Sequence, residues 1–404
     1  MAGFDVDIVV VGGGIVGLST AYQLSELADD LRILVVEKEE AICLHQSGRN
    51  SGVIHSGIYY QPGSLKAKTC LEGKAMLESF CREHGIAFES CGKVIVAVDD
   101  AELPAMEKIY ARGQANGVAC RIIDRHELQQ LEPHAAGVAA IHVPGTGIVD
   151  YPGVCNVLAD RLRKRGHTIL LQSPLRSCAS HEGYLEVVAG DSTIKTRQLV
   201  NCAGLHCDRV MRLCGATPPA KIIPFRGEYY ELTSDAEYLC RNLIYPVPNP
   251  NFPFLGVHFT RMVHGGVECG PNAVLAMARE GYDWSTWNLR DLSESLTYPG
   301  FMRIASRFWK TGAGEIVRSL SKSAFVKALQ RLIPAIQIQQ LHRAPAGVRA
   351  QAIAPDGSMV DDFLIVDQPR AIHVCNAPSP AATASLKIGQ HIAHRVLEQQ
   401  STLE

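Results

Sequence analysis

Apolar positions fall into continuous runs at some places and into helical spacing at others, and this alternation sets the first picture. An unbroken apolar run, Ile8 to Val11, enters a cluster of three glycines. A helical pattern follows, then a second apolar run, Ile33 to Val36, which ends on Glu37. Continuous rather than alternating apolar runs suit strands buried on both faces, so Asp7 to Glu37 predicts a strand–turn–helix–strand unit of roughly 30 residues. Helical spacing recurs at Ala67–Glu83, ending before Gly85, at Ala101–Asn116, at Tyr151–Arg165 and over the long stretch Leu289–Leu332. Phe88–Val98, Ala139–Val143, Ile169–Gln172, a hairpin Tyr184–Val188/Ser192–Thr196 through Gly190, and Gln198–Cys202 read as strands. So do Ile222–Leu232, Leu243–Val247, Leu255–Thr260, Gly265–Cys269, Phe363–Asp367 and Ile372–Cys375. Arg121–Glu132 reads as a short strand and then a helix begun by Asp124. Pro246, Pro248, Pro250 and Pro253 stiffen one connection, and a final helix runs to Glu398.

The glycines of the first unit, Gly12, Gly14 and Gly17, have the G-x-G-x-x-G spacing of a dinucleotide site. Gly12 permits the tight turn, Gly14 lets a pyrophosphate approach the backbone, and Gly17 lets helix and strand pack closely. The helix N-terminus offers unpaired N–H groups to phosphates. Glu37 stands where an acid accepts hydrogen bonds from an adenosine ribose, and it would repel a 2′-phosphate. These features alone leave NAD and FAD both open.

Composition narrows the partners. The chain has 404 residues, 47% of them hydrophobic, which is enough for a large core and implies two domains. A net charge of −2 gives no basic field for nucleic acid. Thirteen cysteines are scattered without C-x-x-C pairs or metal-like spacing with histidine, so no metal site is expected. With no signal peptide, this points to reduced thiols in the cytoplasm. No stretch reaches the apolar length of a membrane span. The segment 299–331 differs from the rest. Arg303, Arg307, Lys310, Arg318, Lys322, Lys327 and Arg331 stand there against one acid, Glu315, interleaved with Phe301, Met302, Ile304, Phe308, Trp309, Ile316, Phe325 and Leu329. That pattern fits a basic amphipathic helix on a membrane surface or a domain-packing helix with a solvated basic face.

Several longer stretches carry a resemblance. The N-terminal unit, the strand ending in Asn201-Cys202-Ala203-Gly204 and the C-terminal stretch NAPSPAATASL together resemble the flavin-dependent oxidoreductases of the D-amino-acid oxidase and glycerol-3-phosphate dehydrogenase superfamily. The stretches GRNSGVIHSGIYY (48–60), SLKAK (64–68), PFRGEYY (224–230) and YPVPNPNFPFLGVHFT (245–260) are similar to those of the L-2-hydroxyglutarate dehydrogenases/oxidases. The resemblance implies an α/β protein. A discontinuous Rossmann-like FAD-binding domain (1–85, 145–218, 340–404) would be joined to a second α+β substrate domain on a largely antiparallel sheet (86–144, 219–339). It also implies FAD as cofactor and a 2-hydroxy dicarboxylate as substrate. If 299–331 binds a membrane, the reduced flavin could pass electrons to a quinone, with oxygen as a slower acceptor. The protein would be cytoplasmic, with peripheral attachment to the inner face of the cell membrane as an option through 299–331.

On that pattern the polar segment with Ser47, Arg49, Asn50 and Ser51 runs along the pyrophosphate and flavin, and Ala203 and Gly204 border the cofactor. The loop with Pro380, Ala381 and Thr383 presents N–H groups and a helix start to the reduced flavin; Ser379 and Thr383 are candidate caps for that helix. Oxidising a 2-hydroxy acid also needs a base and cations for carboxylates. His55 is the first candidate base and His258 its rival, and each has a plain alternative as a hydrogen-bonded or strand histidine. Arg226, bracketed by apolar and aromatic residues, needs a partner, either substrate or Glu228 or Glu231. Arg349 is the second candidate anchor, because similar flavoenzymes carry a substrate-binding arginine shortly before the last FAD strands. Tyr59 and Tyr60 could line the pocket, and Lys66 and Lys68 are further cations.

Overall fold

A computed structural model gives the fold and describes residues 4–248 and 255–403. Pro250 and Pro253 of the proline-rich connection lie outside the described residues. Val6–Val11 sits inside an eight-stranded sheet, flanked in parallel by Ile33–Val36 and by Ser192–Asn201. Thr168–Leu170 extends the parallel set on one side and Ala371–Asn376 on the other. The continuous apolar runs follow from burial on both faces. Ile8, Val10, Val35 and Val200 pack under the helices Ile15–Leu27, Tyr151–Lys164 and Ser385–Leu403. Val9, Val11, Leu34, Val36 and Leu199 face a three-stranded meander instead.

That meander corrects one expectation. The stretch read as two strands is a single strand, Ser192–Asn201, that changes partner midway. Its first half pairs antiparallel with Tyr184–Ala189, and Leu199–Asn201 pairs in parallel with Ala371–His373. The third meander strand, Leu175–His181, carried no apolar alternation because most of it is solvent-exposed.

A nine-stranded sheet forms the second layer and is antiparallel except where Leu243–Pro246 runs parallel to Lys93–Ala97. Gly92, at φ +85°, ends the strand expected over 88–98, so Phe88–Glu89 joins a small separate sheet with Val53–Ile54 and Gly147–Val149. Leu341–Ile353, numbered within the expected nucleotide-binding segment, pairs along Lys221–Leu232 in the nine-stranded sheet. By strand pairing, the chain returns to the parallel sheet only with Leu364–Gln368. The region expected as one long helical stretch is three helices. Asn288 caps Leu289–Leu296, Pro299 opens Pro299–Leu320, and Ser321 caps Lys322–Leu329.

The first and last helices touch at backbone distance. A Cβ on Gly389 would stand 2.6 Å from the Ser19 carbonyl, closer than any real contact allows. Gly389→Ala should therefore push the C-terminal helix off Ile15–Leu27 and lower stability by about 1–3 kcal/mol. Thermal unfolding checks this; an unchanged midpoint would contradict the contact.

Candidate functional site

A cavity of about 900 Å³ runs between the two sheets, from Gly12 and Glu37 at one end to Tyr229 and His258 at the other. At the first end the glycines act through space they leave open. A Cβ on Gly12, at φ +113°, would stand 2.5 Å from the Cys202 carbonyl oxygen, and one on Gly17 2.0 Å from the Gly12 oxygen. Gly12 and Gly14 line the cavity; Gly17 does not, and its part is helix–strand packing. Ser47 Oγ accepts from Ile15 N at 2.9 Å in the first turn of the helix. Glu37 is buried and uses both carboxylate oxygens on the turn, accepting from Gly13 N at 2.7 Å and Glu39 N at 3.0 Å. Each oxygen keeps a second lone pair for a ribose hydroxyl.

The polar segment along the cavity braces itself. Asn50 donates to the Gln46 and Ser47 carbonyls at 3.0 and 2.8 Å and accepts from Gly52 N at 2.9 Å. The Arg49 guanidinium lies 4.1 Å over the Tyr282 ring. Ser51, Ala203 and Gly204 also border the space, and Ala203 N is fixed by Asn201 Oδ1 at 3.2 Å. This long cleft combines a bare glycine turn, a helix start and a ribose-facing acid, which fits an extended dinucleotide. Gly12, Gly14, Glu37, Ser47 and the loop 377–383 are the residues that would hold it.

In the C-terminal loop Pro380, Ala381 and Thr383 all line the cavity, but the expected caps do other work. The regular helix begins at Ser385. Thr383 Oγ1, fully buried, accepts from His55 N at 3.0 Å and meets the Tyr151 hydroxyl at 3.0 Å and the Val53 carbonyl at 3.3 Å. Ser379 Oγ lies 3.1 Å from His55 Nε2.

The far end gathers His55, His258, Tyr229, Tyr245, Lys66 and Arg349. His258 Nδ1 lies 2.9 Å from the Gly256 carbonyl, which can only accept, so the proton sits on Nδ1 and Nε2 keeps a lone pair. Its ring lies 3.9 Å from that of Tyr245. Burial, and then the charges of Lys93 and His258, push His55 down to about 3. Burial likewise pushes His258 down to about 3, opposed by its Gly256 bond and assisted by the charges of Arg349 and Lys93. Arg349 reaches Tyr229, whose phenol burial raises to about 12 while Arg349 draws it back.

Arg226 is not an anchor in this cavity. It is fully buried, and its guanidinium donates to Glu228 Oε1 from Nε at 3.1 Å and from Nη2 at 3.0 Å. It also donates to the Asp283 carbonyl at 2.8 Å and stacks on Trp284. Glu228, one of the two acids expected as alternatives to substrate, is the partner. Lys66 pairs with Asp361 at 3.0 Å. Sequence reading passed over Tyr229, Tyr245 and Lys93. A lysine opening a strand ordinarily reads as solvated, and only the pairing of Lys93 with Leu243 brings it beside Tyr245.

Depressed imidazole values have a direct consequence for pH. Burial disfavours the protonated ring, so both histidines are neutral and able to accept a proton at neutral pH. The kcat/KM profile should then show no acid limb centred near 6.5, and activity should hold as pH falls from 7 to about 5. A single-proton limb at pH 6–7 that disappears in His258→Asn would contradict this.

Comparison with known proteins places the arrangement in context. A family model described as FAD dependent oxidoreductase matches residues 7–395. The L-2-hydroxyglutarate dehydrogenase of Indibacter alkaliphilus is 49% identical over 397 residues, covering 98% of this chain and all of that protein. Its Escherichia coli counterpart is 43% identical, covering 96% of this chain and 93% of that protein. The human mitochondrial enzyme of that name is also 43% identical, with 97% and 89% covered. Among solved structures, the FAD-bound L-alpha-glycerophosphate oxidase of Mycoplasma pneumoniae superposes with a TM-score of 0.79 at 23% identity, covering 97% of this chain and 94% of that one. Glycine oxidase of Geobacillus kaustophilus gives 0.73 at 17% identity, with 98% and 95% covered. These two share the fold: a Rossmann-like layer joined to a second, largely antiparallel sheet. The chain belongs to the FAD-dependent oxidoreductase family and, within it, groups with the L-2-hydroxyglutarate dehydrogenases.

Proposed function

We propose that this protein oxidises L-2-hydroxyglutarate to 2-oxoglutarate with FAD as cofactor. One observation carries the reading at the level of chemistry: two neutral imidazoles, His258 buried and His55 half-buried, share the far end of the dinucleotide cavity with Arg349. Near-full-length identity to enzymes of that name supports the choice of substrate. Bound FAD supplies the hydride acceptor. Arg349 grips the carboxylate next to the hydroxyl-bearing carbon, with the Tyr229 hydroxyl beside it. His258 Nε2 takes the hydroxyl proton; the Gly256 carbonyl fixes its tautomer, as an orienting group does for a base. The resulting imidazolium faces the bound dianion, which offsets the repulsion from Arg349 and Lys93. His55, tied to Thr383 through its backbone and to Ser379 through its ring, positions the loop and contacts substrate.

Anaerobic mixing of the yellow holoenzyme with L- and D-2-hydroxyglutarate, lactate, glycerol 3-phosphate and several amino acids tests the assignment. Only the L-dicarboxylic hydroxy acid should bleach the flavin quickly. His258→Asn should slow that step by about 10²–10⁴-fold, and His55→Asn by less. Rapid bleaching by an amino acid or glycerol 3-phosphate instead would move the protein to another substrate, and bleaching by none would make it a non-catalytic flavin protein.

A second reading concerns where the electrons go. Pro299–Leu320 is kinked at Phe308; beyond the kink Trp309, Ile316 and Leu320 share one outward face and are 63%, 46% and 65% exposed, and before it Met302 is 53% exposed. Arg303, Arg307 and Lys310 flank that stripe, whereas Glu315 is buried. Phe325 and Leu329 of the next helix are in the core, so Lys322–Leu329 serves packing alone. An exposed apolar stripe beside cations suits an anionic membrane surface, from which a quinone can accept electrons, with oxygen as an alternative acceptor. Among the described residues no helix is long and apolar enough to cross a membrane. The holoenzyme should co-sediment with phosphatidylglycerol vesicles and lose that binding in Arg303→Glu/Arg307→Glu/Lys310→Glu; unchanged binding would defeat the idea.

A further inference from the structure

Lys93 opens the strand Lys93–Ala97 and is 1% exposed. Among the described residues no carboxylate, carbonyl or hydroxyl accepts a hydrogen bond from its ammonium. Its contacts are two aromatic rings: Nζ lies 4.6 Å from the ring centre of Tyr59 and 4.9 Å from that of Tyr245. Among the described residues the Tyr59 hydroxyl is also buried without a hydrogen-bond partner. A buried ammonium without a counter-charge costs several kcal/mol. Cation–π contact returns only about 0.5–2 kcal/mol. An ammonium over the ring of a tyrosine whose own hydroxyl is unpaired calls for an acceptor, and the charge calls for an anion.

The position of the pair says which anion. Tyr245 is shared: one side of its environment is Lys93 and another is His258, whose ring lies 3.9 Å away. Tyr245 and His258 line the cavity, and Lys93 packs against the Tyr245 ring next to that lining. Two cations thus approach His258, and they come from different strands, Arg349 from Leu341–Ile353 and Lys93 from Lys93–Ala97. Arg349 reaches Tyr229 as well, whereas Lys93 reaches His55 as well. A 2-hydroxy dicarboxylate carries two anionic groups, one for each cation.

We propose that Lys93 Nζ, together with the Tyr59 hydroxyl, binds the substrate carboxylate remote from the carbon being oxidised and so makes the enzyme selective for a dicarboxylate. The inference rests on the L-2-hydroxyglutarate reading. Burial supports it from another side, holding the Lys93 ammonium down to about 7 against a small opposing pull from Cys70. The Lys93 amine thus loses its proton readily without substrate, and an arriving carboxylate draws the proton onto it. Lysine suits this better than arginine, because its pKa shifts readily on burial.

Two variants of the holoenzyme test the assignment. Lys93→Met keeps the length of the side chain and removes the charge; Tyr59→Phe removes one hydroxyl. Two readouts are needed: kcat/KM for L-2-hydroxyglutarate and L-2-hydroxybutyrate, and dissociation constants of the unreactive acids glutarate and butyrate from perturbation of the visible flavin spectrum. Lys93→Met should lose about 10²–10³-fold on L-2-hydroxyglutarate and on glutarate, with L-2-hydroxybutyrate and butyrate within about threefold of the parent. Tyr59→Phe should weaken glutarate about tenfold and leave butyrate alone. Equal losses on diacid and monoacid would mean that Lys93 acts only through the imidazoles and would overturn the proposal, as would no loss at all. If Lys93→Met fails to retain flavin, the Tyr59→Phe glutarate measurement decides alone. A parent enzyme that binds glutarate through Lys93 and Tyr59 yet does not oxidise L-2-hydroxyglutarate would sink the substrate reading and not this one.

Discussion

One hydroxyl holds the site together. Thr383 Oγ1, with no exposed surface, meets the backbone of Val53 and His55, the Tyr151 hydroxyl and, through its own main chain, the loop that follows Ala371–Asn376. His55 and Thr383 are 328 residues apart, so this junction closes the chain on itself. A buried hydrogen bond of this kind contributes about 0.5–1.5 kcal/mol, but leaving its partners unpaired costs more. The larger effect is geometric. It fixes the two segments that border the cavity against one another. His55 owes its place to this junction twice, since Ser379 on the same loop meets its ring.

Around that junction the electrostatics are unusual for a surface cleft and ordinary for a closed one. Both imidazoles are kept neutral chiefly by burial, and the cations near them add to the effect. In water such a set would be protonated singly and screened. Between two sheets, with little solvent, the neutral bases can coexist beside a cation, and the whole cluster is short of negative charge. On the proposed reading a dianion supplies it. The ligand would then complete the site electrostatically, and the arrangement that disfavours an imidazolium would tolerate one beside bound carboxylates. The opposite end has the reverse character. Near Glu37, Lys38 pairs with Glu39 and, at 2.6 Å, with Glu280, and Glu280 also meets His206 at 2.8 Å. These charges are already balanced within the protein, and they clasp the second layer onto the adenosine end.

How far the sequence carried this depends on the range of the interaction concerned. The glycine turn, both flanking strands and the helix were legible because each rests on contacts within some thirty residues: Gly12 against its own turn, Gly17 against Gly12. So was the cofactor loop, whose residues 380–383 do border the cavity. Leu175–His181 was not, since an exposed edge strand has no apolar period to read. Leu341–Ile353 is half apolar, but its Pro345 and Gly347 obscured a strand that a long antiparallel partner, Lys221–Leu232, holds in place. Lys93 escaped notice because burial of a strand-opening lysine is decided by Leu243, about 150 positions later.

The two arginines show the limit most sharply. Both were offered as carboxylate anchors, and they lie on adjacent strands one register step apart: Phe225 pairs with Arg349 and Arg226 with Val348. Within a strand the direction of a side chain alternates, so a single step decides whether a guanidinium meets the cavity or the layer behind it. Here the ladder also shifts register between Gly227 and Tyr229. Sequence alone supplies neither the step nor the irregularity. Arg226 meets Glu228 and the Asp283 carbonyl and becomes a buried brace between the sheet and the segment carrying Trp284, whereas Arg349 borders the cavity beside Tyr229. Two identical side chains with equal claims by composition thus take different places, one buried between layers and one facing the cavity, because of where the two strands are joined.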